Sequence, residues 1–159
     1  MNHPIKVLIV DDEASQRSGL AAMVSAWGMT PETASDGNEA LLKLNSFAAD
    51  VILTDLNMPG LDGFGFMEKL RDSGEMPPTI VLTGFGNIET AVKTVHELGA
   101  YWFLEKPIQP GSLEVLLRRA AGDADRKRAV RAREGVVHGS LGAARGLFRN
   151  RAARHPAAG

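Results

Sequence analysis

Short runs of β-branched and aliphatic residues alternate with longer amphipathic segments along most of the chain. Apolar runs of this kind are typical of strands that helices cover on both faces of a parallel sheet. The pattern predicts five strands, at residues 5–10, 30–34, 50–54, 79–82 and 102–104. It predicts helices at residues 13–27, 37–46, 63–73, 87–98 and from 111 onward, with Asn87 as a cap and Gly28, Gly74 and Gly99 as stops.

The alternation of strands and helices predicts an α/β fold built on one doubly wound, five-stranded parallel sheet. Right-handed crossovers between parallel strands place helices on both faces of such a sheet. Functional groups collect in the loops at the carboxyl ends of the strands. We therefore look for chemistry where each predicted strand ends.

Charge divides the chain into two parts, although the net charge is only −1. Residues 1–117 contain 7 Lys and Arg against 16 Asp and Glu, whereas residues 118–159 contain 11 against 3. Only the acidic part has the apolar periodicity of a fold. We expect a domain at residues 1–121 and a basic Arg/Ala/Gly-rich tail or linker at 122–159, helical at first and disordered beyond Gly135.

Composition excludes several classes of protein. The chain has no cysteine, which rules out a disulfide scaffold, a thiolate zinc site and a cysteine nucleophile. It has no apolar stretch of the roughly 20 residues that a membrane helix needs, and its start does not resemble a signal peptide. We expect a cytoplasmic protein with no membrane partner.

Polar residues stand at the ends of four predicted strands. Asp11 and Asp12 follow the first strand and Asp55 follows the third. Thr83 follows the fourth strand, and Lys106 comes shortly after the fifth. Acids brought together from two strand ends repel unless a cation neutralises them, and an oxygen-only ligand set suits Mg²⁺. Asp55 is the best candidate nucleophile for phosphorus, with Lys106 and Thr83 able to reach phosphoryl oxygens.

Four segments, VLIVDDE, LTDLNMPGLDG, IVLTGFG and GAYWFLEKP, resemble the motif blocks of bacterial response-regulator receivers, in order and with similar spacing. The likeness covers about residues 5–120 and is nearest to the nitrogen-regulation type, whose receivers precede a sigma-54-activating ATPase. The resemblance implies a flavodoxin-like strand order 2-1-3-4-5. It also implies a switch module that catalyses its own phosphorylation and dephosphorylation and is otherwise not an enzyme.

The resemblance also implies a role for each matching residue. Asp55 would be the phosphoacceptor, and Lys106 the family's lysine, followed by a cis bond to Pro107. Thr83 and Phe103 would form the switch pair. The Mg²⁺ ligands would be Asp12 and Asp55 directly, Asn57 through its backbone carbonyl, and Asp11 largely through water.

The resemblance implies partners as well. A sensor histidine kinase would donate the phosphoryl group. A downstream protein or output domain, with transcription as one output, would read the surface of the fourth helix, fifth strand and fifth helix. A homodimer that forms on phosphorylation is compatible with this reading, and nucleic-acid binding is not expected through this domain.

Each of these residues also has a simpler interpretation. Asp11 and Asp12 could only cap the first helix, and Asp55 could belong to a turn rich in Asn, Pro and Gly. Thr83 could be a loop hydroxyl, Lys106 a solvated charge and Phe103 a core residue. Their joint occurrence at four strand ends favours a site.

Three other functions compete with a receiver. An aspartyl-nucleophile phosphohydrolase generally has a DxD-type motif after its first strand, whereas Asp11 and Asp12 are adjacent here. A flavin module would need a phosphate cradle where this chain has three acids. DNA binding by the basic tail is the third alternative, but the tail sequence has no helix-turn-helix pattern.

Two features depart from the family pattern. Trp102 stands where a small or acidic residue is common, and it predicts an exposed aromatic beside the fifth strand. No GxxxxGK[ST] motif of an ATPase occurs in the chain.

Overall fold

The computed structural model of the chain describes residues 3–84 and 88–153, with side chains through residue 134. Within these residues, five strands and five helices alternate. The strands are β1 (Lys6–Val10), β2 (Thr30–Ala34), β3 (Val51–Asp55), β4 (Thr79–Thr83) and β5 (Trp102–Glu105). The helices are α1 (Ala14–Ala26), α2 (Gly37–Leu44), α3 (Gly63–Ser73), α4 (Ile88–Leu98) and α5 (Pro110–Ala153). The predicted cap Asn87 lies outside the described residues.

The strands form one parallel sheet in the order β2-β1-β3-β4-β5, which confirms the predicted fold. β3 pairs with β1 on one side and with β4 on the other. All of its residues are buried, because helices cover both faces of the sheet at this point. The sequence VILTD of β3 is therefore a buried, mainly apolar run that ends in a buried acid.

Successive strand residues point into two separate hydrophobic layers, as the period of two requires. We call them the α1/α5 face and the α2–α4 face, after the helices that cover them. The α1/α5 face contains Val7, Ile9, Val51, Leu53, Ile80 and Leu82, packed with Leu20 and Val24 of α1 and Leu113 and Leu117 of α5. The α2–α4 face contains Leu8, Val10, Ile52 and Val81, packed with Ala40 of α2, Phe66, Met67 and Leu70 of α3 and Leu98 of α4.

Three strands extend one residue further than the sequence predicts, and each added residue is polar. β3 ends at Asp55, β4 at Thr83 and β5 at Glu105. Asp55 pairs with Leu82, and Thr83 with Glu105. Strand pairing therefore holds the backbones of Asp55 and Thr83 in place.

Helix ends follow local chemistry. Asp62 caps α3 by accepting a hydrogen bond from the Gly65 N–H at 2.9 Å. α3 closes at Gly74, whose φ of 80° is a left-handed conformation that glycine adopts without strain. This confirms the predicted stop at that position.

The last helix differs from its prediction in length. α5 continues to Ala153, whereas the sequence predicts disorder beyond Gly135. The frequent Ala, Arg and Leu residues of this segment are strong helix formers, which favours the helix despite its glycines. The chain divides into two units, Met1–Ala124 and Asp125–Gly159. Among the described helices, none combines the length and apolar character that crossing a bilayer requires.

Gly63 packs directly against the backbone of β3. A Cβ at this position would lie 2.8 Å from the Leu56 Cα and well inside van der Waals contact with the Asp55 carbonyl oxygen. Neither neighbour is a flexible side chain. The start of α3 can therefore pack against the end of β3 only if residue 63 has no side chain.

Gly63→Ala should lower the free energy of unfolding by about 2 kcal/mol or more, since backbone would have to move to accept the methyl group. Gly19→Ala, on α1, is the matched control because a Cβ there would have no neighbour within 4 Å. That variant should keep its stability or gain up to about 1 kcal/mol. Urea unfolding followed by circular dichroism measures both, and equal effects of the two substitutions would contradict the packing.

Candidate functional site

The carboxyl edge of the sheet brings together polar side chains from three strand ends. Asp11 directly follows β1, Asp55 ends β3 and Lys106 directly follows β5. Each stands two positions after an apolar residue of the α1/α5 face, respectively Ile9, Leu53 and Leu104. The same alternation that builds the core therefore directs all three side chains toward that face.

Asp55 is a buried carboxylate with both oxygens hydrogen-bonded. It is 7% exposed. Its Oδ2 accepts a hydrogen bond from the Lys106 Nζ at 2.8 Å, and its Oδ1 accepts one from the Asn57 backbone N–H at 3.2 Å. The Lys106 ammonium thus neutralises the acid that the sequence predicts as the nucleophile.

Asp11 is the most buried acid of the site. Its Oδ1 accepts a hydrogen bond from the Glu13 N–H at 2.9 Å. Its Oδ2 is buried without a hydrogen-bond partner and lies 3.9 Å from the Lys106 Nζ. Burial raises the pKa of Asp11 above its ordinary value, although the Glu13 N–H and the Lys106 charge both act to lower that pKa.

Asp11, Asp12 and Asp55 form a cluster that fits a divalent cation. One carboxylate oxygen from each lies within 4.8 Å of the others. Asp12 is exposed to solvent, so the cluster is open on one side. The buried Asp11 Oδ2 lacks a donor, and an all-oxygen set of this kind suits a hard ion such as Mg²⁺.

The two predicted switch residues lie on the opposite face of the sheet. Thr83 stands two positions after Val81, and Phe103 pairs with Val81 across β4 and β5. Thr83 is buried, with its hydroxyl donating to the Gly84 carbonyl at 3.2 Å. Phe103 is half-buried and stacks on Trp102 with 5.6 Å between ring centroids. Both residues therefore point toward the α2–α4 face, as diagonal neighbours.

Most predicted site residues therefore meet at one edge, and one detail from the resemblance is confirmed. The Lys106–Pro107 peptide bond is cis. Asn57 contributes its N–H to Asp55. Metal binding through its carbonyl stays a prediction. Trp102 is 51% exposed, as expected for an aromatic beside the edge strand.

Sequence reasoning missed two residues of α1 that contact the site. The Gln16 Oε1 accepts a hydrogen bond from the Lys106 Nζ at 2.8 Å. The Arg17 Nη1 donates to the Asp11 carbonyl oxygen at 2.7 Å. A signal for Gln16 existed, because it precedes the buried Leu20 by one helical turn and so faces the sheet.

Asp11→Asn should raise the free energy of unfolding in chelator by on the order of 1 kcal/mol, because it removes a buried charge with an unpartnered oxygen. The raised pKa means that folding disfavours the charged form, so the gain should vanish below about pH 4, where both states of the wild type are protonated. Denaturant unfolding of the variant and the wild type at pH 7 and pH 3 measures this difference in the free energy of unfolding. Glu68→Gln, which changes an exposed acid of α3, should alter stability little. A less stable Asp11→Asn protein at pH 7 would contradict this account of the cluster.

Comparison with known proteins agrees with this geometry. Residues 7–118 match the family described as the response regulator receiver domain. A probable transcriptional regulator, ycf27, of Guillardia theta is 42% identical over 113 residues, or 71% of this chain and 44% of that protein. A putative NtrX-like response regulator of Rickettsia felis is 36% identical, over 73% of this chain and 25% of the relative. The chain thus spans between a quarter and a half of the length of these relatives.

Solved structures give the same result. NtrX from Brucella abortus in complex with ADP superimposes with a TM-score of 0.76 at 33% identity, over 80% of this chain and 29% of that one. The receiver domain of the same NtrX superimposes with a TM-score of 0.69 at 34% identity, over 73% of this chain and 98% of the domain. The chain therefore belongs to the response regulator receiver family, the phosphoacceptor signalling domains of two-component systems.

Proposed function

We propose that Asp55 accepts the phosphoryl group in this receiver. The observation that carries the proposal is the 2.8 Å contact between the Lys106 Nζ and the Asp55 Oδ2, within a cluster of three acids at the carboxyl edge of the sheet. In the transfer, an Asp55 oxygen forms a bond to phosphorus while the bond from phosphorus to a nitrogen of the donor histidine breaks. The electron pair of that bond leaves with the donor imidazole.

The remaining residues of the site would stabilise charge. Asp11, Asp12, Asp55 and the Asn57 carbonyl would hold Mg²⁺, which supplies neutralisation of the phosphoryl oxygens when bound. Lys106 would donate to one phosphoryl oxygen and the Thr83 hydroxyl to another. Lys106 follows a strand and Thr83 ends one, so the sheet fixes the backbones of both residues before the phosphoryl donor arrives.

We propose a cytoplasmic protein that receives its phosphoryl group from a sensor histidine kinase. The output would leave through α4, β5 and α5 toward a downstream protein or output domain, or through a phosphorylation-dependent homodimer. Relatives named as transcriptional regulators support transcription as the final output. They lend no support to the phosphohydrolase alternative.

We propose that the receiver ends near Ala121. Ala120 and Ala121 are the last buried residues of α5, at 0% and 4% exposure. Exposed positions dominate from Asp125 to Glu134. Residues 122–159 would then be a basic tail or linker outside the phosphorylation site.

Asp55→Asn should abolish phosphorylation, because an amide oxygen is too weak a nucleophile to displace a phosphoryl donor. Incubation of the wild-type protein with acetyl phosphate and Mg²⁺ should add one phosphoryl group, detected by intact mass. The wild-type reaction should stop in chelator and return with excess Mg²⁺, since the acids would otherwise repel the incoming dianion.

Asp72→Asn is the matched control, because Asp72 is an exposed acid of α3. This variant should be phosphorylated like the wild type. Equal labelling of Asp55→Asn would refute the acceptor assignment. A phosphorylation rate of the wild type that does not change in chelator would refute only the proposed requirement for Mg²⁺.

Thr83→Ala should separate phosphorylation from output. A phosphoryl group on Asp55 would draw the Thr83 hydroxyl toward it, and Phe103, the diagonal neighbour of Thr83, would turn into the space left on the α2–α4 face. The variant should still accept phosphoryl, up to about ten-fold more slowly for the loss of one hydrogen bond. Amide NMR should show smaller shifts than in the wild type at Ile88–Leu98 and Trp102–Glu105.

Thr79→Ala provides the control for this coupling. Thr79 is a buried threonine at the opposite end of β4, and its hydroxyl donates to the Pro77 carbonyl, away from the acids. In Thr79→Ala, the amide shifts of α4 and β5 that accompany phosphorylation should match those of the wild type. Full-sized distant shifts in Thr83→Ala would exclude Thr83 as the coupling residue while leaving Asp55 as the acceptor.

A further inference from the structure

Gln16 reaches the site from the helix that covers the α1/α5 face. It lies in the first turn of α1, one turn before Leu20 and two turns before Val24, both of which are buried. Helices that follow parallel strands begin at the carboxyl edge, so the first turn of α1 stands beside the acids. Gln16 is half-buried there.

The Lys106 ammonium is shared between a charged and a neutral acceptor. Its Nζ donates to the Asp55 Oδ2 and to the Gln16 Oε1, both at 2.8 Å. The Asp11 Oδ2 is further away, at 3.9 Å. Only the amide oxygen can accept from an ammonium, so this contact also fixes the orientation of the Gln16 amide.

Packing alone does not hold the Lys106 side chain in place. A cavity of about 250 Å³ lies between α1 and the residues after β5, and it is lined by Gln16, Gly19, Leu20, Leu82 and Lys106 among others. Its lining beyond the Gln16 and Lys106 ends is apolar, and Gly19 leaves its side open. The Lys106 stem has free space beside it, so polar contacts decide where the ammonium lies.

We propose that Gln16 is a positioning residue for Lys106 during phosphoryl transfer, an inference that rests on the proposed role of Asp55. When the phosphoryl group arrives, the ammonium has to leave the Asp55 Oδ2 for a phosphoryl oxygen. The bond to Gln16 anchors the ammonium through that short movement. A neutral acceptor does so without adding a fourth negative charge to Asp11, Asp12 and Asp55.

Gln16→Met tests the inference, because methionine keeps the length and bulk of the side chain and removes the acceptor. With acetyl phosphate and Mg²⁺, Asp55 should be phosphorylated about three- to ten-fold more slowly, as expected for one lost hydrogen bond. A small-molecule donor keeps kinase docking out of the measurement. Gly19→Ala, which alters the same cavity without touching a polar contact, should react at the wild-type rate.

A second measurement follows the ammonium itself, without metal or phosphoryl donor. The Lys106 ammonium should give a slowly exchanging ¹H–¹⁵N signal in the wild type, because two acceptors protect it. In Gln16→Met that signal should broaden or exchange faster. Gln16→Glu keeps an acceptor oxygen and should restore the signal, which a merely structural role for Gln16 would not predict.

The double variant distinguishes a positioning role from a general effect. In a Lys106→Met background, Gln16→Met should cause no further slowing, since there is no ammonium left to anchor. Equal slowing in both backgrounds would overturn the inference, as would a wild-type rate in Gln16→Met. If Lys106→Met reacts too slowly to measure, an ammonium signal unchanged in Gln16→Met overturns it instead. Failure of the acceptor assignment would appear separately, as phosphorylation of Asp55→Asn.

Discussion

The site depends on one ammonium group, that of Lys106, which offsets carboxylates that the fold brings together. Parallel strands bring Asp11 and Asp55 to the same edge of the sheet, and Asp12 adds a third carboxylate within 4.8 Å. Lys106 is the only lysine or arginine within ion-pair distance of Asp55 or Asp11 among the described residues. Its single charge cannot balance three, so the edge stays electrostatically incomplete and open to a further cation. The proposed metal binding and phosphoryl transfer at this edge both rest on that shortfall of positive charge.

The hydrophobic alternation of the strands determines which side of the sheet each function occupies. Asp11, Asp55 and Lys106 continue the pattern of the α1/α5 face, whereas Thr83 and Phe103 continue that of the α2–α4 face. The proposed acceptor chemistry and the proposed output therefore lie on opposite sides of one sheet. Thr83 ends β4, which pairs with the strand that ends at Asp55. Its hydroxyl could therefore respond to a change at Asp55 while Phe103 packs beside it on the α2–α4 face.

Strand ends were predictable from the sequence, because an apolar run that stops at an acid marks both the strand and its edge. This pattern predicts Asp11 and Asp55 directly, and Lys106 as the residue after the run that ends at Glu105. The contact between Lys106 and Gln16 was not, since it joins residues 90 positions apart and depends on the rotation of α1 about its axis. Nor did the sequence show that Asp11 is buried while Asp12 is exposed, a difference that arises as the chain turns out of β1. The full length of α5 does not follow from the sequence, because its glycines indicate a helix end while the Ala and Arg residues around them favour the helix.

The loop between β3 and α3 is closed at its base. The Gly63 N–H donates to the Leu56 carbonyl at 3.1 Å, and Gly63 has no side chain to hold the two backbones apart. The start of α3 is thereby tied to the chain directly after Asp55. Asp55 is therefore held from both directions, because β3 pairs with β4 at Leu82 and the following loop is closed at Leu56. The second of these constraints depends on the absence of a single methyl group at residue 63.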